Sequence, residues 1–217
     1  MSDIVITVRG EHEERIAPEE GVIRLAVRAE GHERATTVAR ATEAASALRS
    51  ALSAREEAAE IREWSSGRLT VWSDRPWNTE GRRLPLVHHA SVEVTAAFSD
   101  LDALSAWAGE VASRDAIQVN GIDWRLSPAT AREAEARVAA RAVLVAVERA
   151  TAYANALGRS EVVPVEVADA GLLGRPDAPP APRMMRAAMV ADTGAGLDLR
   201  PADIVVSATV EARFTAR

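Results

Sequence analysis

The stretch HHASVEVTAAF, residues 88–98, carries the clearest structural signal in the chain. Small and apolar side chains alternate along it with more polar ones, which is the period-two pattern of a β-strand with one buried face. The residues predicted to share the buried face are His88, Ala90, Val92, Val94, Ala96 and Phe98. We therefore predict a core strand here and use it to place its neighbours.

The segments before this strand predict a strand and a helix. Residues 23–27 alternate apolar and other side chains, as a half-buried strand does. After Gly31 the period changes, and apolar residues recur every three or four positions from Val38 to Leu52. This spacing predicts a helix with one buried stripe. Residues 59–71 again read as strand, interrupted at Ser65-Ser66-Gly67.

The segments after it repeat the pattern. Ser99 followed by Asp102 resembles a capping box and predicts a helix start. Residues 116–126 then read as a strand that Asn120-Gly121 interrupts. The pair could form a tight hairpin turn. A bulge in one strand is favoured, because the flanking pieces would be very short.

This order of elements predicts an α+β fold. From residue 22 to residue 126 it is strand, helix, strand, strand, helix, strand, which is the ferredoxin-like βαββαβ arrangement. We expect an antiparallel sheet with both helices on one face.

Residues 1–21 and 127–217 are expected to add a second α/β layer to the same unit. A short strand ends near Arg9, and a polar connection runs from Gly10 to Gly21. Ser127 and Pro128 suit the start of a long helix that runs over 128–157. Strands are predicted at 161–168, where Pro164 favours an edge or a bulge, and at 203–214.

Composition excludes several kinds of chemistry. The formal charge is −6, so no nucleic acid partner is expected. The chain has no Cys, which removes thiolate chemistry, and all 26 basic residues are Arg, which removes Schiff-base chemistry. No run approaches the length of a membrane span, no export signal is recognised, and we expect a cytoplasmic protein without cofactors.

Catalytic motifs are incomplete. His12-Glu13 and His32-Glu33 begin like a zinc-protease helix, but Ile16 and Thr36 stand where the second ligand belongs. His88 and His89 are adjacent on a strand, so their rings face opposite sides and cannot hold one ion together. The expectation is therefore no enzyme, no metal site and no catalytic residues.

The segment 64–89 is the best candidate for a binding surface. The residues predicted to face a partner are Trp72, Arg75, Trp77, Arg82 and Arg83. Trp and Arg are enriched at binding hot spots, and Arg can stack on an indole. The alternative is that the indoles pack over the sheet while the arginines solvate a hairpin tip.

A second candidate surface is predicted on the long helix. Residues 142–147 read Ala-Val-Leu-Val-Ala-Val, and six consecutive apolar positions cover every side of a helix. Either the same chain covers the far side or a second subunit does. The predicted contacts of a homo-oligomer are Val143, Leu144, Val147, Met184, Met185 and Met189. The alternative is a monomer whose 169–202 loop lies over its own core.

Several features together resemble the SIMPL-domain family (YggE-like proteins). They are the strand ending in Val8-Arg9-Gly10, Pro18, Asn120-Gly121-Ile122, and the alanine-spaced helix that ends at Leu157-Gly158. The resemblance implies a two-part α+β fold, self-association and a link to stress defence or protein–protein interaction. It implies no catalytic residues.

The leading functional hypothesis is a non-catalytic, self-assembling binding or scaffold protein. One alternative is a small-molecule sensor that uses the Trp–Arg segment. Another is an enzyme that uses carboxylates and arginines in a cleft between the two parts, since these groups suffice for acid–base chemistry.

Overall fold

A computed structural model describes residues 3–77, 84–173 and 201–217. The strands of these residues are β1 (Ile4–Ile16), β2 (Glu20–Gly31), β3 (Ile61–Ser66), β4 (Thr70–Asp74), β5 (Val87–Phe98), β6 (Ile117–Arg125), β7 (Val162–Asp169) and β8 (Ile204–Ala216). The helices are α1 (Arg34–Glu57), α2 (Leu101–Ala112) and α3 (Pro128–Ala156). The predicted α+β class is confirmed.

Residues 18–125, together with residues 201 and 202, form one compact unit, here called the ferredoxin-like unit. Its strands lie in the order β3-β5-β2-β6, with β4 following β3 along the same side of β5, and every pairing is antiparallel. Together with α1 and α2 this is the predicted βαββαβ arrangement. Both helices pack against the strand face that carries Ile23, Leu25 and Phe98, all completely buried.

The interruption at Asn120-Gly121 is a bulge, as favoured from the sequence. Val119 pairs with Leu25 and Gly121 pairs with Arg24, so Asn120 is the extra residue. Gly121 has a φ of +139°, a backbone conformation that residues other than glycine rarely adopt. The glycine is therefore required by the bulge.

The start of α2 differs slightly from the prediction. Its N-cap is Asp100, whose carboxylate accepts hydrogen bonds from the backbone N–H groups of Asp102 and Ala103, both at 3.0 Å. Ser99 is the residue before the cap. Asp is as good an N-cap as Ser, and its negative charge also suits the helix N-terminus.

The remaining elements form a second compact unit of residues 3–17, 126–173 and 203–217, here called the three-stranded unit. Its sheet has the order β1-β8-β7, and α3 packs on one face. Pro164 lies in the edge strand β7, next to a register shift. The sequence predicted either an edge strand or a bulge at this proline, and the structure has both.

The first strand is longer than predicted. The expected connection from Gly10 to Gly21 is wrong, because β1 continues to Ile16 and pairs with β8 without a register shift. Residues 11–15 are almost all charged, which hides the strand from a hydrophobicity pattern. Main-chain pairing with β8 holds them in the sheet.

The helix α3 approaches the sheet closely. Ser127 caps it, Pro128 occupies its first turn, and Gly158 follows its end with a φ of +73°. Its buried stripe is made mainly of small residues: Ala134, Val138, Ala142, Ala146, Ala150 and Ala154. A Cβ added to Gly10 of β1 would lie 1.9 Å from the carbonyl oxygen of Ala142, so the close approach requires glycine there.

Among the helices of the described residues, none is both long enough and apolar enough to cross a membrane.

Candidate functional site

Three register partners form a row across the ferredoxin-like unit. Trp72 of β4 lies opposite His89 of β5, which lies opposite Glu30 of β2. Directly opposite residues share a face of a sheet. Asp74 follows Trp72 by two positions and shares that face as well. These four residues are called the Trp72 surface below.

The indole of Trp72 is held by His89. The two rings are stacked, with centroids 5.1 Å apart and an angle of 12° between their planes. His89 Nε2 lies 3.2 Å from a carboxylate oxygen of Asp74, and Nδ1 lies 3.9 Å from one of Glu30. The histidine is thereby fixed, and so is the orientation of the indole.

The Trp72 surface is open to solvent. Trp72 is 44% exposed, and the side chains of Asp74 and Glu30 are 61% and 78% exposed. A part-exposed aromatic ring beside two carboxylates can contact apolar groups and cations.

The opposite face of the same strands carries a different set of contacts. Ser73 Oγ lies 2.6 Å from His88 Nδ1 and 3.5 Å from a guanidinium nitrogen of Arg34. His32 Nδ1 lies 3.3 Å from the carbonyl oxygen of Leu86. These contacts tie β4 and β5 to the start of α1. They also place His88 and His89 in separate environments, as their adjacent positions on a strand predict.

The other residues predicted for a partner surface are less closely associated. Trp77 is 85% exposed. Arg75 donates a 2.8 Å hydrogen bond to the carbonyl oxygen of Leu84. Arg82 and Arg83 lie outside the described residues. The structure therefore brings Trp72 together with a histidine and two carboxylates. Arg75, which was predicted to face a partner, instead binds the backbone of Leu84.

Two of the predicted oligomer contacts, Val143 and Val147, lie on the same side of α3. Arg137 and Arg149 directly precede residues of the buried stripe, and they contact Glu14 and the carbonyl oxygen of Arg9 on β1. Val143 and Val147 directly follow stripe residues. Because each helical residue turns by about 100°, they lie on the side away from β1.

An exposed apolar surface includes this side of α3 and the face turned away from the sheet, where Leu144 lies midway between the stripe residues Ala142 and Ala146. Leu144 is 50% exposed and Val147 is 38% exposed. In β7, Val165 and Val167 are 60% and 49% exposed, and Val167 pairs with Ala212, which is buried under α3. Val143, Leu144, Val147, Val165 and Val167 are called the α3–β7 surface below. Met184, Met185 and Met189 lie outside the described residues.

A carboxylate is buried at the end of the ferredoxin-like unit. Glu20 is 1% exposed, and it accepts hydrogen bonds from Arg62 and Arg125. Arg125 also donates to Glu63 at 2.7 Å, which lowers the pKa of Glu63, and the same bond raises the pKa of Arg125. Each oxygen of Glu20 accepts one of these bonds, so this buried group joins β2, β3 and β6.

One family model matches the chain over residues 6–214. It is the SIMPL model, described as a protein of unknown function (DUF541). The chain belongs to the SIMPL family. No curated protein matches this SIMPL chain. The family resemblance seen in the sequence is confirmed, and the roles of individual residues have to come from the structure.

The sequence did not reveal the whole Trp72 surface. His89, Asp74 and Glu30 of the SIMPL chain are 15 to 59 positions from one another in sequence, and only the register of β4, β5 and β2 joins them. The alternation of β5 did place His89 on the face away from the core, but it gave no information on the partners of His89. Within residues 3–77, 84–173 and 201–217, no three His, Asp or Glu side chains are grouped so as to hold a metal ion.

Proposed function

We propose that this SIMPL protein acts by binding and self-assembly, and that it has no catalytic activity of its own. The observation that carries the proposal is the α3–β7 surface, because four large aliphatic side chains are exposed there, two on the helix and two on an edge strand of the sheet that it covers. Single exposed aliphatic residues are common on proteins, whereas grouped ones mark interaction surfaces.

The occupant that we propose is a second copy of the chain. Leu144, Val147, Val165 and Val167 are each exposed by about two-fifths to three-fifths. Covering what is exposed would stabilise an assembly by roughly 1 kcal/mol for each side chain. The edge of β7 itself is poorly suited to strand pairing, since Pro164 and the adjacent register shift interrupt it. Assembly through side chains on the helix side of the sheet fits both observations.

The test is the molar mass in solution, measured by size-exclusion chromatography with light scattering at micromolar concentration. We expect the unaltered protein to exceed the monomer mass of 23.2 kDa. The double variant Leu144→Glu, Val147→Glu should run as a monomer, because the new charges would have to be buried in the interface.

The matched control is the double variant Val5→Glu, Val205→Glu. These valines are 64% and 41% exposed and lie on the sheet face away from α3. The control should keep the mass of the unaltered protein. An unaltered protein of 23.2 kDa, or equal dissociation of both double variants, would contradict the proposal.

Absence of catalysis is part of the same proposal and has its own test. The buried carboxylate Glu20 is 1% exposed and bonded to two arginines, which suits a structural role. Reproducible turnover that a single Asp, Glu or His substitution abolishes would overturn this part.

A cytoplasmic location and a role in stress defence complete the proposal. They rest on the sequence and on the family resemblance, respectively. Cell fractionation tests the first, and the survival of stressed cells with and without the protein tests the second.

A further inference from the structure

We propose that the Trp72 surface binds an arginine side chain of an extended polypeptide segment, which pairs with the outer edge of β4. This interaction is separate from self-assembly through the α3–β7 surface. It rests on the orientation of one indole, the charge beside it and the position of β4 in the sheet.

The indole offers one face to a ligand. Its other face is stacked on His89, which belongs to the neighbouring strand β5. The exposed face of the Trp72 indole therefore lies on the outer side of β4, away from β5. A guanidinium group is planar and stacks well on an indole, where the negative ring face attracts its charge.

The charge beside the indole favours a cation. Asp74 and Glu30 each approach His89 with one oxygen, and a carboxylate has about four acceptor sites. Their large exposed fractions leave acceptor sites for a ligand. Arg28 is two residues before Glu30 in β2 and lies on the same face, where it contributes one positive charge against the two negative charges of the carboxylates. Arginine fits better than lysine, because its fork of N–H groups matches a carboxylate while its plane covers the indole.

The position of β4 favours a polypeptide. In the described part of the chain β4 pairs with β5 alone, so the backbone groups on its outer edge have no strand partner. An extended segment that adds to this edge forms main-chain hydrogen bonds, as in other cases of strand addition. Its residue opposite Trp72 would place its side chain on the same face, against the open side of the indole.

The experiment is a titration followed by the indole N–H signals in ¹⁵N NMR spectra, with the Trp72 signal assigned by Trp72→Phe. The probe is the acetylated and amidated pentapeptide Thr-Val-Arg-Val-Thr. We expect it to shift the Trp72 signal in a saturable way. The same peptide with citrulline in place of arginine keeps the shape and loses the charge, and it should bind at least tenfold more weakly.

The protein side is tested with the double variant Glu30→Gln, Asp74→Asn, which should also bind the arginine peptide at least tenfold more weakly. The double variant Glu11→Gln, Glu148→Gln changes the net charge equally at exposed carboxylates of the other unit and should bind within twofold of the unaltered protein.

Three results would overturn the inference. One is equal binding of the citrulline and arginine peptides. Another is equal binding by the two charge variants. The third is equal affinity for acetyl-arginine amide and the pentapeptide, which would remove the role of the β4 edge. The citrulline comparison uses the unaltered protein, so it holds even if a variant folds poorly.

Discussion

Replacing Gly10 with alanine should strongly destabilise the three-stranded unit. The new Cβ would lie 1.9 Å from the carbonyl oxygen of Ala142, 2.7 Å from the backbone nitrogen of Ala146 and 2.9 Å from its Cβ. Ordinary contacts begin at 3.4 Å, so the helix backbone must retreat by about 1.5 Å at this point. Two of the three crowded atoms belong to backbone, which cannot swing aside as a side chain can.

The loss of stability in Gly10→Ala follows from the overpacking of the core. Overpacking in a core costs typically 1–3 kcal/mol, and more when backbone has to move. The retreat also separates the alanine stripe of α3 from β1, which loses dispersion contacts. We expect Gly10→Ala to lower the free energy of unfolding by about 3 kcal/mol or more, which is a large share of the 5–15 kcal/mol typical of a domain.

Urea denaturation followed by far-ultraviolet circular dichroism measures the effect. Tryptophan fluorescence is unsuitable, because all five tryptophans lie in residues 18–125. The control is Gly109→Ala in α2, where no atom lies within 4 Å of the added Cβ. It should leave stability unchanged or raise it by up to about 1 kcal/mol, since alanine favours helices. A loss below 1 kcal/mol for Gly10→Ala would refute the reasoning.

Two further predictions concern the ferredoxin-like unit. Trp72→Ala and Trp77→Ala should each cost no more than about 1 kcal/mol in urea denaturation, because both rings are well exposed, whereas the buried Trp107 should cost about 3–5 kcal/mol. Equal costs for the three would show that the exposed indoles belong to the core. Glu63 has a lowered pKa through its hydrogen bond with Arg125, so its contribution to stability is present above the ordinary glutamate pKa and is lost as pH falls through the lowered value. Glu63→Gln should therefore destabilise the protein at pH 7 and have a smaller effect near pH 3, and an effect that grows in acid would contradict this.

Much of the fold was predictable because its sequence signals are local. The alternation of residues 88–98 gives β5 directly. The glycine of Asn120-Gly121 suggests a bulge, and Ser127-Pro128 and Gly158 bound α3. In each case a backbone conformation restricts the residue type, so a single sequence suffices.

The candidate sites were only partly predictable because they depend on pairing across the sheet. The exposure of Leu144 and Val147 follows from helix geometry, which a sequence encodes. The stack of Trp72 on His89 depends on the register between β4 and β5, which a loop of a dozen residues leaves undetermined. The second half of β1 was missed for the same reason, since its strand character comes from β8.

The pairing of β1 with β8 has a consequence for synthesis of the protein on the ribosome. Ile4 pairs with Ala216 and Ile16 with Ile204, so β1 meets its partner only after the whole stretch between the two strands has been synthesised. At about 5–20 residues per second this leaves β1 without a neighbour for roughly 10–40 s, whereas the ferredoxin-like unit can close within residues 18–125. An unpaired strand is an aggregation hazard, and interspersed charges reduce it. The charged side chains of Glu11, Glu13, Glu14 and Arg15, which conceal the strand from a hydrophobicity pattern, are suited to protecting the nascent chain during that interval.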